Sequence, residues 1–322
     1  MRDFLLKRTV QIIPLILGII CIDFMIIHLA PGDPTQMLGG ELTGAPPEYQ
    51  EKLRKDLGLD KPLWVQLFIY IKTILSGDLG YSFVYRSSVF DLIMKQVPNT
   101  LMLILSSMLL SIILGIFLGV NAARKPYSLF DNVTTSVSLL GYSIPNFWLG
   151  VVLLLIFSLR FGIFPVQGMY TIGGDLTGLD HVIDVARHLF LPMIVLGTSQ
   201  LAMYTRLVRT SMLEVLDQDY ILTAKSKGCS ESQVLYDHAL KNALLPTVTV
   251  IGLNLGFVLT GSILTETVFA WPGIGRLMYD AIFMRDYPLL LGIFTLISIC
   301  VVIATLLTDI TYGFLDPRIR YR

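Results

Sequence analysis

The chain has 322 residues, of which 54% are hydrophobic and only 15% charged, and its mean hydropathy is +0.68. These values lie well outside the range of ordinary soluble domains and indicate an integral membrane protein. The formal net charge is zero. The chain therefore lacks the broad basic field that nucleic-acid binding requires, which excludes nucleic acid as a partner.

Long apolar runs dominate the sequence. A bilayer core about 30 Å thick requires about 20 mostly apolar residues for each helical crossing. We expect six transmembrane helices, which lie near 9–30, 99–123, 133–159, 189–205, 243–268 and 289–307. The first run follows three basic residues, as a signal peptide does, but it is too long and lacks a good small-x-small cleavage site. We expect it to be retained as a membrane helix.

The distribution of Lys and Arg predicts the orientation. With both termini in the cytoplasm, the cytoplasmic segments hold 13 of these residues and the short outer loops hold four. This excess follows the positive-inside rule. We expect an N-terminus and first helix over 1–30, an extracytoplasmic insertion over 31–97, a five-helix core over 98–311 and a cytoplasmic tail over 312–322. The core includes a cytoplasmic loop over 206–243.

The outer insertion contains two helical patterns. The stretch "EYQEKLRKDLGLD" predicts a short helix that ends at Gly58. From Pro62 to Ser76 the apolar residues fall on one stripe at helical spacing, opposite a polar face. This second helix could lie in the outer membrane interface or pack on the bundle, and we favour packing. Further on, Trp271 closes the outer end of the fifth run, where an interfacial anchor is expected.

A polar stretch, "AKSKGCSESQVLYDHALKNALLP", interrupts the apolar runs at 224–246. Gly228 suits the left-handed position that ends a helix, and Ser230 with Gln233 fits a capping box that starts another. The stretch therefore predicts a helix, a glycine turn and a second helix, which we call the elbow. It is compatible with an ordinary loop; the sharper hypothesis is a rigid lever on which a soluble motor docks.

A few polar residues inside the spans could line a solute path. They are Asp23 in the first span, Tyr142, Ser143 and Asn146 in the kinked stretch "LLGYSIPNFWLG" of the third, and Asn254 in the fifth. A carboxylate inside a membrane span is costly, so Asp23 is expected to face protein or water. The alternative for each is structural: a hydrogen-bonded acid at Asp23, and helix packing through small residues at the others.

Signatures of catalysis and metal binding are missing from the sequence. It contains no G-x-x-x-x-G-K-[ST] phosphate loop, no H-E-x-x-H and no G-x-S-x-G. The four histidines are scattered, and the three cysteines form no C-x-x-C. We expect a non-enzymatic chain that binds no metal and no cofactor.

Several segments together resemble one family. "DYILTAKSKGCSESQVLYDHALKNALLP" resembles the cytoplasmic EAA loop of binding-protein-dependent ABC importer permeases, in the form found in the oligopeptide/dipeptide branch, first-permease type. Nearly the whole chain is similar to that branch, through "HLAPGDP" (28–34), "LRKDLGLDKPLWVQL" (53–67), "SGDLGYS" (76–82), "SIPNFWLG" (143–150), "ETVFAWPGIGRL" (266–277) and "DPRIR" (316–320). One departure is plain: the acidic position of the EAA pattern falls on Leu222, so an acidic contact to the motor cannot be carried over.

The resemblance implies an all-α type I ABC importer permease fold with six transmembrane helices and a helical extracytoplasmic insertion after helix 1. It also implies that the protein lies among the lipids of a prokaryotic inner membrane. It implies a homologous second permease, two cytoplasmic ATPase subunits that bind ATP and Mg, and an extracytoplasmic solute-binding protein. The expected ATPase-coupling residues are Tyr220, Leu222, Thr223, Ala224, Lys225, Gly228 and Ser230.

The cargo of the resembled branch is usually a di- or oligopeptide. Similar permeases import nickel, glutathione or oligosaccharides, so these cargoes stay open. A self-contained secondary transporter is the alternative from another class. Such a protein is expected to contain an internal repeat with paired interrupted spans, and neither feature is present in the sequence.

Overall fold

A computed structural model of the chain describes residues 14–25, 29, 60–82, 84–173, 176–256, 258 and 262–315. The described part is mostly helical. Its helices are α1 Pro14–Met25, α2 Leu63–Leu75, α3 Val89–Arg124, α4 Leu129–Ser143, α5 Asn146–Leu153, α6 Leu179–Leu216, α7 Asp219–Ser226, α8 Leu240–Ala243, α9 Leu245–Gly256, α10 Ile263–Val268, α11 Ile274–Phe283 and α12 Tyr287–Leu315. π-Helical segments continue α5 over Leu154–Arg160 and precede α8 over Gln233–Ala239. An antiparallel hairpin, β1 Tyr81–Ser82 and β2 Ser87–Ser88, pairs Tyr81 with Ser88 and Ser82 with Ser87.

Three of the described helices are individually long and apolar enough to cross a membrane: α3, α6 and α12. They contain the second, fourth and sixth apolar runs. The third run forms α4 and α5, which are bent by 100° relative to one another. Ile144 is extended with φ −80° and ψ 126°, as expected for a residue that precedes proline, and α5 begins directly after Pro145. The kink predicted in this stretch is therefore a full break between two helices.

The first and fifth runs contain the shorter apolar helices α1 and α9 within the described residues. Six crossings therefore remain a prediction. The amphipathic helix predicted between Pro62 and Ser76 is confirmed as α2, although its stripe packs only in part: Leu67 contacts core residues while Trp64 and Phe68 are exposed. The short helix expected before Gly58 lies outside the described residues.

The chain divides into two compact units. The first comprises the described residues within Met1–Thr100, Leu259–Ile263 and Gly273–Arg322. Its core lies where the start of α3 meets α11 and α12. Gly292 lets α12 approach α3 closely, because a Cβ at that position would lie 2.3 Å from Val89 Cγ1.

The carboxylate of Asp286 accepts hydrogen bonds from the Ser82 hydroxyl and from the Leu289 amide at the start of α12. Burial raises the pKa of this carboxyl.

The second unit comprises Leu101–Val258 and Leu264–Pro272. Two glycines of α3 let it approach α6 closely: a Cβ on Gly115 would lie 2.6 Å from Tyr204 Cβ, and one on Gly119 would lie 2.7 Å from Val208 Cβ. Small residues at such a contact are typical of membrane helix pairs.

The expectation that Trp271 is an interfacial anchor is wrong, because its side chain is fully buried against leucines of α3 and α6.

Candidate functional site

The first limb of the elbow is α7, and it ends at Gly228, whose φ is +84°. The Cys229 amide donates to the Ala224 carbonyl over 3.3 Å, and the Gly228 amide donates to the Lys225 carbonyl over 3.0 Å. This pair of hydrogen bonds, closed over a left-handed residue, is a complete Schellman motif. The prediction that Gly228 terminates a helix in the left-handed conformation is confirmed.

The second limb begins with the predicted capping box. The Ser230 amide donates to Gln233 Oε1 over 2.9 Å, and the Gln233 amide donates in return to Ser230 Oγ over 3.4 Å. Two amides that would lack partners at a helix start are thereby satisfied. The chain then continues through the π-helical segment and α8 to α9.

The two limbs share a hydrophobic core with the ends of α3 and α6. The buried side chains of this core are Val120, Ala123, Val208, Met212, Ile221, Ala224, Val234, Leu235, Ala239 and Ala243. Because a packed core has few alternative arrangements, the elbow is fixed to those two helices rather than suspended as a free loop.

Polar contacts join the elbow to its surroundings at two further points. Arg124, the last residue of α3, donates two hydrogen bonds to the Glu231 carboxylate, over 2.7 and 2.9 Å. The guanidinium lowers the pKa of Glu231. Within the elbow, Asn242 Nδ2 donates to the Tyr220 hydroxyl over 2.8 Å. Both contacts are exposed, so they orient the limbs more than they stabilise the fold.

The structure divides the predicted coupling residues into two groups. Ala224 is only 6% exposed and belongs to the core of the elbow. Leu222 has the most exposed apolar side chain of α7, at 65%, and it occupies the position that is acidic in the EAA pattern. The predicted coupling residues on the exposed surface are Tyr220, Leu222, Thr223, Lys225, Gly228 and Ser230. Their role in coupling stays a prediction.

The predicted path residues lie in both units. Asp23 is in the first unit, half-buried, and its Oδ2 is buried without a hydrogen-bond partner among the described residues. Asn254 is in the second unit, where its Nδ2 donates to the hydroxyl of the buried Tyr204 over 3.0 Å. This hydrogen bond gives Asn254 a structural role beside any role in a path.

The remaining path candidates flank the break between α4 and α5. The side chain of Tyr142 is exposed, and Ser143 Oγ donates to the Leu139 carbonyl over 2.8 Å. Asn146 is half-buried and is the first residue of α5. Tyr142 and Ser143 thus lie on one side of the break and Asn146 on the other, and their role in a solute path stays a prediction.

Sequence patterns did not single out an ion pair between α4 and α6. Arg209 donates from Nε and Nη2 to the two carboxylate oxygens of Asp131, over 2.5 and 2.7 Å. Asp131 is fully buried, and it also accepts from the Tyr127 amide over 2.8 Å. The sequence feature that could have indicated this ion pair is the presence of opposite charges at the same end of two predicted spans.

The elbow also contains a cysteine beside a histidine: Cys229 Sγ lies 3.9 Å from His238 Nε2. Two ligands do not make a metal site, and the described residues contain no group of three or more His, Cys, Asp or Glu side chains that could hold an ion.

Comparison with known proteins decides the family. Residues 111–321 match the family described as binding-protein-dependent transport system inner membrane component. Residues 1–104 match the N-terminal part described for the same kind of membrane component. The chain belongs to this family. It is therefore an inner-membrane component of a transport system, with an all-α permease fold.

Full-length relatives agree with this assignment. The chain is 41% identical to the dipeptide transport system permease protein DppB of Escherichia coli (strain K12), over 342 aligned residues that cover all of both chains. It is 40% identical to the oligopeptide transport system permease protein AppB of Bacillus subtilis (strain 168), again over the whole of both chains. It is 41% identical over full length to the di/tripeptide transport system permease protein DppB of Pseudomonas aeruginosa (strain UCBPP-PA14).

Proposed function

We propose that this permease imports di- and oligopeptides in an ATP-driven assembly, and that the elbow is the docking point for the motor. The assembly consists of this chain, a homologous second permease, two cytoplasmic ATPase subunits and an extracytoplasmic solute-binding protein. ATP and Mg²⁺ bind to the ATPase subunits, since this sequence has no phosphate loop. Both termini lie in the cytoplasm.

The observation that carries the proposal is the construction of the elbow. Its turn is closed by a Schellman motif and a capping box, and its interior is packed against α3 and α6. A lever must be stiff and must be joined to the parts that it moves. The exposed side chains of α7, Tyr220, Leu222, Thr223 and Lys225, supply a mixed apolar and polar surface for docking. Motion of a docked ATPase would reach the span helices through the shared core.

Peptide cargo is inferred from the relatives, whose names specify dipeptide, di/tripeptide and oligopeptide transport. Nickel, glutathione and oligosaccharides are the other cargoes to test. A secondary transporter would use an ion gradient in place of ATP.

Reconstitution tests the proposal. The chain is purified with the second permease and the ATPase subunits and placed in vesicles, with the binding protein outside and ATP inside. We expect uptake of labelled dialanine that requires ATP and the binding protein and that continues when ion gradients are collapsed. Uptake driven by an ion gradient without ATP would refute the proposal, and uptake of another cargo only would refute the peptide assignment.

A further inference from the structure

An open cavity of about 860 Å³ lies in the second unit, between α4, α6 and α9. Its volume lies in the range of small-molecule sites. Along α6 its lining extends from Ala202 to Thr210, about 12 Å at 1.5 Å per residue. An extended peptide rises by about 3.3–3.6 Å per residue, so this length accommodates about three residues. On α4 the lining reaches Tyr142, next to the helix break.

Among the described residues, the cavity carries one positive charge that no carboxylate neutralises. Two arginines of α6 line it. Arg209 is neutralised by Asp131, as described above. The side chain of Arg206 is exposed and has no hydrogen-bond or ion-pair partner among the described residues, and no carboxylate belongs to the lining. A guanidinium in mostly apolar surroundings favours a carboxylate or phosphate that it can bind through two parallel hydrogen bonds.

Thr205, on the same stretch of α6, borders the cavity with other atoms, because its hydroxyl oxygen is buried away from the open space. Thr205 is only 2% exposed, and its Oγ1 is buried without a hydrogen-bond partner among the described residues. Helical threonines commonly donate to the carbonyl one turn earlier, as Thr198 does to Ile194 over 2.7 Å in the same helix. The Thr205 hydroxyl makes no such bond in this structure and does not reach the cavity, so Arg206 is the group that offers hydrogen bonds to an anionic ligand there.

We propose that this cavity binds the carboxylate of the transported solute, with Arg206 supplying the positive charge and the hydrogen bonds. The solute is thus a small zwitterion or anion held by its acidic end. This inference rests on the proposed peptide import, and it names the part of the chain that holds the solute on its way through the membrane.

The test uses the assembled complex in vesicles of zwitterionic lipid. Cys21, Cys229 and Cys300 are replaced by serine, and Ser138→Cys places one thiol in the lining of the cavity. The rates of modification are measured with an anionic sulfonate thiosulfonate reagent and with its cationic trimethylammonium counterpart. The rate ratio reports the local charge.

Arg206→Gln is expected to lower the anionic-to-cationic rate ratio about fivefold, because a unit charge about 8 Å away in water changes each rate two- to threefold, in opposite directions. Arg206→Lys should keep the ratio. Lys125→Gln removes another exposed cytoplasmic cation outside the cavity and should leave the ratio unchanged. An unchanged ratio in Arg206→Gln would overturn the proposal.

Protection experiments identify the occupant. Millimolar dialanine on the cytoplasmic side should slow modification of the Ser138→Cys thiol, dialanine amide should not, and Arg206→Gln should abolish the protection. Equal protection by both compounds, or by neither, would contradict carboxylate binding. The measurement is repeated in vesicles that also contain anionic lipid. Protection by that lipid that dialanine cannot displace would assign the cavity to a headgroup and overturn the proposal. Dialanine uptake by the same vesicles tests the proposed function separately, since uptake without protection refutes the cavity alone.

Discussion

Replacement of Gly228 by valine tests whether the shape of the elbow matters for transport. A Cβ added at Gly228 would meet no atom within 4 Å, so the substitution creates no clash. Its cost is confined to the backbone, because φ is +84° and a residue other than glycine is disfavoured there by about 1–2 kcal/mol, with β-branched residues the worst. That free energy shifts the equilibrium between the native turn and other conformations by about 5- to 30-fold.

Gly173→Val is a matched control for Gly228→Val. Gly173 has φ +85° and also has open space around its Cβ position, but it lies on the loop between α5 and α6, far along the chain from the elbow. The backbone penalty is therefore the same and only its location differs. Gly228→Asn is a second control, since asparagine tolerates the left-handed conformation better than valine does.

The assay is uptake per assembled complex, measured together with co-purification of the ATPase subunits. We expect Gly228→Val to reach the membrane at near-normal abundance and to lose ATPase binding or uptake, because insertion of the spans does not depend on this turn. Gly173→Val and Gly228→Asn should retain most activity. Normal uptake and co-purification in Gly228→Val would refute the lever. An equal loss in Gly173→Val would show a general stability effect.

Three further predictions concern topology and the polar residues. A reporter near Ser230 should be cytoplasmic and one near Pro46 extracytoplasmic, because of the Lys and Arg asymmetry, and finding both on one side would contradict the six-span topology. Asp23→Asn should assemble nearly normally, since the amide keeps the shape and removes a costly charge, and a large fall in membrane abundance would contradict this. Asp131→Asn should destabilise the chain by about 1–3 kcal/mol, because it leaves the partly buried Arg209 unpaired. In a thermal unfolding assay, the double variant with Arg209→Gln should recover part of that loss. An unchanged melting temperature in Asp131→Asn would refute the role of the pair.

Local sequence signals predicted the features whose physical causes are local. The left-handed turn at Gly228, the capping box at Ser230 and the kink at Pro145, which is a full break in the structure, each depend on a few adjacent residues. The bounds of α2 were predicted to within one residue because its apolar stripe has a clear helical period.

Features that depend on distant neighbours could not be predicted. Ala224 and Leu222 belong to the same short helix, yet which of them is buried depends on where α3 and α6 pass. The ion pair of Asp131 with Arg209 requires that α4 lie beside α6, and no sequence pattern specified that pairing. The burial of Trp271 has the same origin, because a tryptophan at a span end is compatible with both lipid and core.

The contacts of the elbow indicate which helices would move with it. The elbow core joins it to α3 and α6, which are in turn packed closely at Gly115 and Gly119, so these two helices would respond as one body. The ion pair of Asp131 adds α4 to that body. The backbone break before Pro145 interrupts the helical hydrogen bonds between α4 and α5, and helix breaks of this kind absorb rotation at low cost. A displacement at the elbow would therefore be passed through α6 to α4 and to the lining of the cavity, and this couples the elbow to the place where we propose that the solute is held.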